Sequence, residues 1–558
     1  MNLRGGRGRA ARLLVWIVVG LALRAVALDG NGLWMDEGYT AWTAHLPTEA
    51  HAVAVANDDA PPLYYAIQRI LVPILPPNEA SVRLLSAAAG VAGIVWLAAA
   101  PPVRLAVEAP VAFFSLGTYG VYYGRQARSY ALLMLWALLL VTAVARVNEG
   151  RRRWILVGIA AEGAILWTHN VGIHLVVGAN LAWLVGGRRF VRGWVTAQIA
   201  VLLLWLPQLL RLLGEQLSVH AELNAWIAEY WERIPIALGP LLSLGAFTSG
   251  ARIPGPLYAY RWSWEGAGSW LLAILAFAAV GTLLVAAFRE GSRREAGVAA
   301  SFTLAPLVSL AAASVLFVPS YTLARTDAIA YAGFVVWCGL GFRRLPRPGK
   351  IAVATVLAAT TILATAAHFP VAGQERENDR RLGLLLREEV RPGDWVVFVG
   401  ASRPSIDYSL SRGRPGRPDS TIRRLFYPGI FAQNPASDFP IQGDSLRAWE
   451  REAYAIRERF EQAPGPPGRS IYWIGPVDFG EGRVDPTAAD LHYPGSMLAY
   501  VLNGLRPLDP LARLRGDELS IDWLLFRVRR DGLVPLEDLQ PVIDADKPYS
   551  SKLNVDSE

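Results

Sequence analysis

Two adjacent carboxylates follow the first apolar stretch of this chain. Asp36 and Glu37 lie in the segment 34–42 (WMDEGYTAW), shortly after the apolar run 13–28. An ionisable pair at a membrane surface is costly to keep beside lipid, so such residues generally serve a function. A carboxylate in this position is suited to removing a proton from an acceptor hydroxyl.

Further polar residues stand next to apolar runs at four other places. A second acidic pair opens the segment 58–65 (DDAPPLYY), and two arginines occur in 124–130 (GRQARSY). A histidine follows the apolar run that ends in 167–170 (WTHN), and an arginine and an aspartate lie in 320–327 (SYTLARTD). The side chains at these places that we predict to contact a substrate are Asp58, Asp59, Tyr64, Arg125, Arg128, Tyr130, His169, Tyr321 and Arg325.

Carboxylates combined with arginines suit the transfer of a sugar from a phosphate. The attacking hydroxyl must lose a proton, which a carboxylate can accept. Cations must stabilise the negative charge that grows on the departing phosphate. Arginine serves this purpose better than lysine, because its planar guanidinium pairs with two phosphate oxygens at once. A two-carboxylate glycosidase fits less well, because hydrolysis of that kind needs no phosphate partner.

Each of these groups also has a structural explanation. An acidic pair after a helix can be a solvated loop, and the second pair, which stands before two prolines, can form a turn. The two arginines in 124–130 can anchor a helix end at the membrane interface. His169 can be a hydrogen-bonded structural residue, and Arg325 can pair with Asp327. The case for function depends on all these groups lying on one face of a membrane.

Composition identifies a membrane protein. The 558 residues are 53% hydrophobic and only 18% charged, and the apolar residues come in blocks. The net charge of +7 does not indicate nucleic-acid binding, because the arginines lie in short clusters between the apolar blocks. Arg24 interrupts the first apolar run, which favours an uncleaved first helix over a signal peptide. The single cysteine, Cys338, allows no intrachain disulfide.

Arginine clusters predict the topology of a polytopic α-helical protein. The cluster before the first span places the N-terminus inside, and about eleven spans place nearly every later cluster inside and the C-terminus outside. The segment 61–77 is then an interfacial helix, because counting it as a span would move the later clusters outside. A second interfacial helix is predicted at 224–235, and the outer loops cover 29–82 and 214–269. The predicted spans are 13–28, 84–100, 107–122, 131–147, 154–168, 171–185, 194–213, 270–288, 298–318, 328–342 and 351–369.

The character of the chain changes after residue 370. The sequence predicts a transmembrane domain over 1–370 and an extracytoplasmic α/β domain over 371–558. Apolar runs at 394–400, 470–475 and 520–528 are typical of buried strands. The segments 378–390 and 445–463 are typical of amphipathic helices, and the Gly- and Pro-rich segment 411–420 is typical of a loop.

The polar segments and their order resemble the GT-C superfold of glycosyltransferases. Within it they resemble the protein O-mannosyltransferase and aminoarabinose transferase group, which forms glycosyltransferase families 39 and 83. The resemblance covers residues 13–342 and is carried by WMDEGYTAW (34–42), DDAPPLYY (58–65), YYGRQARSYALL (122–133), WTHN (167–170) and VPSYTLARTD (318–327). Each segment alone is weakly specific, whereas their order and predicted sidedness are more specific.

The resemblance implies a catalytic role for the first acidic pair, with Asp36 as the base and Glu37 as a supporting carboxylate. It places Arg128 and Arg325 near the donor phosphate. Ala60 stands where the group usually has histidine, and Gln126 stands where many members have glutamate. One expected oxygen ligand is thus missing, which argues against a divalent metal site without excluding it.

The function implied is a membrane glycosyltransferase of the plasma or inner membrane. It would move a monosaccharide from a polyprenyl-phosphate donor to a lipid, glycan or protein acceptor on the extracytoplasmic side, and we expect the transfer to invert the anomeric configuration. One alternative is a transporter or flippase of lipid-linked sugars, although the sequence has no internal repeat and its charges lie at the predicted surface. The other is a non-catalytic assembly protein of the same fold.

Overall fold

The computed structural model separates into two compact units. The first contains Met1–Gly30, Asp58–Gln68 and Ala80–Val371, and the second contains Asn31–Asn57, Arg69–Glu79 and Ala372–Glu558. Asp59, most of 224–235 and nearly all of 411–420, which carry sequence predictions, lie outside the residues that the structure describes. The described residues are 3–58, 60–102, 108–216, 227, 231, 234–249, 267–289, 293–317, 319–323, 325–399, 403–411, 422–427, 444–463, 469–476, 494–503, 511–514, 523–535 and 539.

Helices dominate the described residues up to residue 389 and cover most of every predicted span. Four of the described helices are long and apolar enough to cross a membrane, namely Glu79–Ala99, Tyr130–Asn148, Val191–Gly214 and Arg293–Leu316. The count of eleven spans and their orientation stay predictions. The α-helices are α1 (Leu3–Ala25), α2 (Met35–His45), α3 (Thr48–Asn57), α4 (Leu63–Leu71), α5 (Glu79–Ala99), α6 (Glu108–Leu116), α7 (Thr118–Gly124), α8 (Tyr130–Asn148), α9 (Trp154–Thr168), α10 (Ile173–Val185), α11 (Val191–Arg211), α12 (Gly239–Ser249), α13 (Ala267–Ala286), α14 (Arg293–Leu316), α15 (Tyr331–Arg344) and α16 (Arg347–Glu389).

The predicted span 107–122 is divided into α6 and α7 by a break at Gly117. Arg24 of α1 reaches this break, where its guanidinium donates to the carbonyls of Phe114 at 2.8 Å and Ser115 at 3.1 Å. The Arg24 side chain is completely buried, and it fits because Gly90 brings no side chain to the same place. A Cβ added at Gly90 would lie 2.7 Å from Arg24 Nε. The arginine in the first apolar run thus satisfies carbonyls that the broken helix exposes.

Among the residues that the structure describes, the second unit contains a five-stranded sheet, whereas the sequence predicts an α/β domain with three strands. Its strands are β1 (Trp395–Val399), β2 (Arg423–Tyr427), β3 (Ser470–Pro476), β4 (Ala512–Leu514) and β5 (Trp523–Arg529). Their order is β2-β1-β3-β5-β4. β1 pairs in parallel with β2 and β3, whereas β5 pairs antiparallel with β3 and β4. The three predicted strands correspond to β1, β3 and β5, and β2 and β4 were not predicted.

Helices accompany the sheet in the second unit. They are α17 (Arg403–Leu410), α18 (Asp444–Gln462) and α19 (Pro494–Asn503). Helix α18 confirms the helix predicted at 445–463. The helix predicted at 378–390 is instead the last part of the 43-residue helix α16, so the change in composition near residue 370 falls inside a helix. The domain limits 1–370 and 371–558 stay a prediction.

Candidate active site

The two catalytic candidates have different surroundings at the start of α2, in the second unit. Glu37 is completely buried, and its Oε2 accepts a bond from the backbone N–H of Trp34 at 3.5 Å. Asp36 is only half-buried. Carboxylates in the first turn of a helix interact favourably with its dipole. The structure therefore gives Glu37 a contact that orients the start of the helix and leaves Asp36 accessible.

The C-terminal end of α2 is held by basic side chains of the same unit. Arg69 Nη1 donates to the carbonyl of Leu46 at 2.6 Å, and His51 Nδ1 lies 2.8 Å from the carbonyl of Thr43. Tyr39 on α2 also donates its hydroxyl to the carbonyl of Ala54 at 2.8 Å. Cations and donors at a helix C-terminus satisfy its last carbonyls and favour its dipole. The helix that carries Asp36 is thus anchored at its far end.

His51 makes this anchor sensitive to pH. Burial lowers the pKa of His51 below its ordinary value of 6.5, and Arg69 lowers it further, although the bond to Thr43 opposes the shift. The unfolded segment then binds more protons than the folded one just below pH 6.5, so stability falls as the pH drops through that range. We expect protection of residues 35–57 from hydrogen exchange to decrease there. In His51→Gln, which keeps an N–H donor that does not titrate, this pH dependence should disappear.

Arg128, in the first unit, belongs to a hydrogen-bonded group of tyrosines and small polar residues. Its Nη1 donates to the hydroxyl of Tyr65 at 3.3 Å, and its own carbonyl accepts from Ser86 Oγ at 3.0 Å. Ser86 Oγ also lies 3.0 Å from the hydroxyl of Tyr64, which accepts from Gln68 Nε2 at 2.9 Å. Two predicted residues, Arg128 and Tyr64, are therefore connected through Ser86.

Arg325, also in the first unit, is connected to two other predicted residues. Its Nε donates to the hydroxyl of Tyr130 at 3.1 Å. The Tyr130 ring lies 5.4 Å from the ring of His169 and 4.7 Å from that of Tyr123, measured between centroids. Arg128 and Tyr130 are two residues apart in the chain, so the two groups share one turn before α8. The structure thus gathers Arg128, Tyr130, His169 and Arg325 around the ends of α8 and α9.

Asp327 organises the segment that carries Arg325. Its Oδ1 accepts from the backbone N–H of Arg325 at 3.1 Å and from the Tyr119 hydroxyl at 2.5 Å. Its Oδ2 accepts from Ser243 Oγ at 2.7 Å, and Ser243 Oγ lies 2.8 Å from the hydroxyl of Tyr321. Tyr321 has no exposed surface, and its role in binding a substrate stays a prediction. The sequence did not predict Tyr119 or Ser243. The tyrosine-rich run 118–124 is a signal for Tyr119, whereas Ser243 lies in an apolar segment that gives none.

Arg125 has a different environment from Arg128. Its guanidinium donates to the carbonyls of Val26 at 2.7 Å, Ala27 at 3.0 Å and Leu23 at 3.2 Å. These carbonyls lie at the C-terminal end of α1, which Arg125 therefore caps. Asp58 is half-buried. Among the residues that the structure describes, no three His, Cys, Asp or Glu side chains come together as metal ligands would.

A cavity of about 760 Å³ lies among the helices of the first unit. Most of its walls are apolar, and the charged residues Glu108, Arg343 and Lys350 also line it. Tyr331, another wall residue, stacks on Tyr119 with ring centroids 5.0 Å apart. The cavity wall therefore contacts the tyrosine that donates to Asp327. Other lining residues are Trp16, Ala112, Phe113, Leu116, Phe247, Val280, Phe334, Val335, Cys338, Phe342, Leu357, Ala358 and Ile362.

Solved structures similar to this chain are membrane glycosyltransferases of the GT-C superfold, which the sequence segments resemble. One is the Archaeoglobus fulgidus oligosaccharyltransferase tethered with an acceptor peptide, at 13% identity and a TM-score of 0.49, covering 84% of this chain and 69% of that one. Another is ArnT from Cupriavidus metallidurans, at 14% identity and a TM-score of 0.44 in the apo state, covering 94% and 99%. The structure of the same ArnT bound to undecaprenyl phosphate has 14% identity and a TM-score of 0.41, and the match covers 92% of this chain and 97% of that one.

No protein-family profile and no curated protein sequence matches this chain. The three structures named combine low sequence identity with a TM-score below 0.5. The activity of this protein must therefore be inferred from its own residues.

Proposed function

We propose that this protein is a membrane glycosyltransferase that moves a monosaccharide from a polyprenyl-phosphate donor to an acceptor hydroxyl. The active side is extracytoplasmic, as the distribution of arginines predicts, and the membrane is the plasma or inner membrane. The observation that carries the proposal is the combination, within the first unit, of a large apolar cavity with arginines held by tyrosine hydroxyls. A lipid chain and a phosphate require these two environments in one place.

The cavity suits an isoprenoid chain. Its volume of about 760 Å³ and its aromatic and aliphatic walls resemble those of sites that bury apolar ligands. The wall residue Tyr331 connects it, through Tyr119 and Asp327, to the backbone of Arg325. A donor whose chain enters this cavity can present its phosphate to the arginine-bearing turns, so the proposal accounts for the apolar and the charged features together.

The proposed reaction is a single displacement at the anomeric carbon. Asp36 accepts the proton of the acceptor hydroxyl as its oxygen attacks that carbon. The bond between the anomeric carbon and the phosphate oxygen breaks, and its electron pair stays on polyprenyl phosphate. Arg128 and Arg325 stabilise the charge that this phosphate gains. Attack from the face opposite the leaving group inverts the anomeric configuration.

The direct test uses the purified chain in lipid nanodiscs. Polyprenyl-phosphate mannose labelled in the sugar is supplied together with an extract of envelope lipids, glycans and proteins as acceptor. We expect label to leave the lipid phosphate and to appear in the acceptor fraction, and polyprenyl-phosphate aminoarabinose tests the other sugar class. In proteoliposomes, a flippase would instead carry label across the membrane still attached to polyprenyl phosphate, and that result would reject the transferase.

Filling the cavity should weaken donor binding. Ala112 lines the cavity, so Ala112→Trp puts a large ring where the isoprenoid chain would lie. We expect the dissociation constant for polyprenyl phosphate, measured in nanodiscs, to increase at least about tenfold, which corresponds to about 1.4 kcal/mol. Leu156→Trp is the matched control, because Leu156 on α9 is 71% exposed and does not line the cavity. If both variants bind polyprenyl phosphate with the same affinity, the cavity does not hold the isoprenoid chain.

A further inference from the structure

Helix α2, which carries Asp36, touches the backbone of another helix in the second unit. A Cβ built on Gly38 would lie 2.4 Å from the backbone nitrogen of Ser405, 2.6 Å from its Cα and 2.8 Å from the carbonyl carbon of Pro404. These are backbone atoms in the first turn of α17. Side-chain atoms at such distances would overlap, so only glycine lets the two helices approach this closely. The contact lies two residues from Asp36.

The turn of α17 that receives Gly38 is held in place. Ser405 donates its hydroxyl to Asp379 of α16, and both residues are buried. Gly383 of α16 also approaches α17, because a Cβ at that position would lie 2.6 Å from the carbonyl oxygen of Ile406. α17 directly follows β1, so it belongs to the α/β fold itself. Its first turn therefore has little freedom to move away from α2.

A second contact attaches α2 to the sheet. The ring of Trp42, one turn beyond Gly38, meets the ring of Phe426 edge-on, with centroids 5.8 Å apart. Phe426 lies in β2, and both residues are at least nine-tenths buried. Edge-on aromatic pairs attract each other beyond the effect of the area that they bury. α2 is thus fixed at two points along its length, one on α17 and one on β2.

We infer that the α/β fold of the second unit positions the catalytic carboxylate. Gly38 and the first turn of α17 set how far α2 lies from the sheet, and Trp42 with Phe426 sets its rotation. Gly38 is therefore a positioning residue for Asp36, and the C-terminal region is part of the catalytic machinery. This inference rests on the proposed function, because it assigns a role to the fold through the base that the function requires.

Gly38→Ala tests the inference. The added methyl group meets backbone atoms that cannot turn aside, so α2 must shift until the contact is ordinary. A displacement of about 1 Å at a catalytic group can cost about 10²-fold in rate. We expect turnover per bound donor to fall about 10- to 100-fold, while the stoichiometry and affinity of polyprenyl-phosphate binding stay unchanged. Because alanine has the higher helix propensity, loss of helix in α2 would not explain the result.

Gly281→Ala is the matched control. Gly281 lies in α13, and a Cβ built there meets nothing within 4 Å. The substitution is chemically identical and also occurs inside a helix, but it should leave turnover unchanged. A normal rate in Gly38→Ala, with Asp36→Asn inactive, would reject the positioning role and keep the proposed function. Full activity in Asp36→Asn would exclude Asp36 as the base, and no sugar transfer by the unaltered chain would reject the proposed function itself.

Phe426→Leu is a second test of the inference, which can be used even if Gly38→Ala no longer binds the donor. This change removes the aromatic contact with Trp42 and keeps an apolar side chain in β2, so the fold should survive. We expect turnover per bound donor to fall by a factor of about three to ten, because α2 loses the aromatic contact that sets its rotation and small misplacements of a catalytic group lower the rate. Unchanged turnover in this variant would overturn the inference.

Discussion

Asp36→Asn should lower the rate of sugar transfer about 10³-fold and leave donor binding unchanged. Asparagine has nearly the same shape as aspartate but cannot accept the proton of the attacking hydroxyl, and general-base catalysis typically contributes 10²–10⁴-fold. Asp36 is half-buried at the start of α2, and asparagine keeps a side-chain oxygen that can accept a hydrogen bond there. The measurement is transfer of labelled sugar, together with the affinity for polyprenyl phosphate in the same nanodiscs.

Two further variants show whether the effect of Asp36→Asn is specific to this carboxylate. Asp29→Asn makes the same chemical change at an exposed position outside α2 and should keep full activity. Glu37→Gln should retain part of the activity, because its buried side chain can still accept the backbone N–H of Trp34. A transporter would tolerate Asp36→Asn, and an assembly protein would show no transfer with the unaltered chain. Transfer at the normal rate in Asp36→Asn would therefore exclude Asp36 as the base.

The helical part of the fold could be predicted because its signals are local. Apolar runs between arginine clusters define helices one at a time, and α9 and α10 match their predicted spans closely. The break at Gly117 was not predicted, because it depends on Arg24, a residue far away in the chain whose guanidinium satisfies the exposed carbonyls. Local patterns record where a helix can form but not which distant donor stabilises its interruption.

The strands of the sheet could also be predicted only where their own sequence carries an apolar pattern. β1 and β3 are apolar runs and were predicted, whereas β2 begins with Arg423 and Arg424 and β4 has only three residues. β2 is stabilised by partners outside its own sequence. The Arg423 guanidinium lies over the ring of Trp395, 4.5 Å from its centroid, and Arg424 pairs with buried Asp407 at 2.9 Å. A charged edge strand of this kind has no alternating apolar pattern to reveal it.

The sequence suggested residue types for the candidate site but not the contacts between them, and the roles of these residues stay predictions. The sequence predicted roles for Arg128 and Arg325 from segments that resemble those of GT-C glycosyltransferases, and the structure adds the tyrosines that contact them. The structure also distinguishes Arg125 from Arg128, which lies three residues later in the sequence. Arg125 caps the end of α1, whereas the guanidinium of Arg128 donates to the hydroxyl of Tyr65. Capping and phosphate binding use the same guanidinium chemistry, so only the position of nearby carbonyls distinguishes them.

Arg325→Ala should reduce transfer about 10²- to 10³-fold, because it removes a cation from the departing phosphate. The donor is a phosphodiester with one negative charge, whereas the product polyprenyl phosphate carries about −1.5 to −2. Arg325 should therefore bind the product more strongly than the donor. We expect the variant to lose more affinity for polyprenyl phosphate than for the sugar-bearing donor, with both dissociation constants measured by competition in nanodiscs.

Comparison of arginine variants separates this role from a general effect of charge. Arg325→Lys keeps the charge but loses the planar fork, so it should recover only part of the rate. Arg152→Ala removes an exposed arginine of the cluster between α8 and α9 and should change neither constant. Equal losses of affinity for donor and product in Arg325→Ala would mean that Arg325 holds the ground state. In that case Arg128, whose guanidinium donates to the hydroxyl of Tyr65, would be the residue that stabilises the negative charge growing on the leaving phosphate.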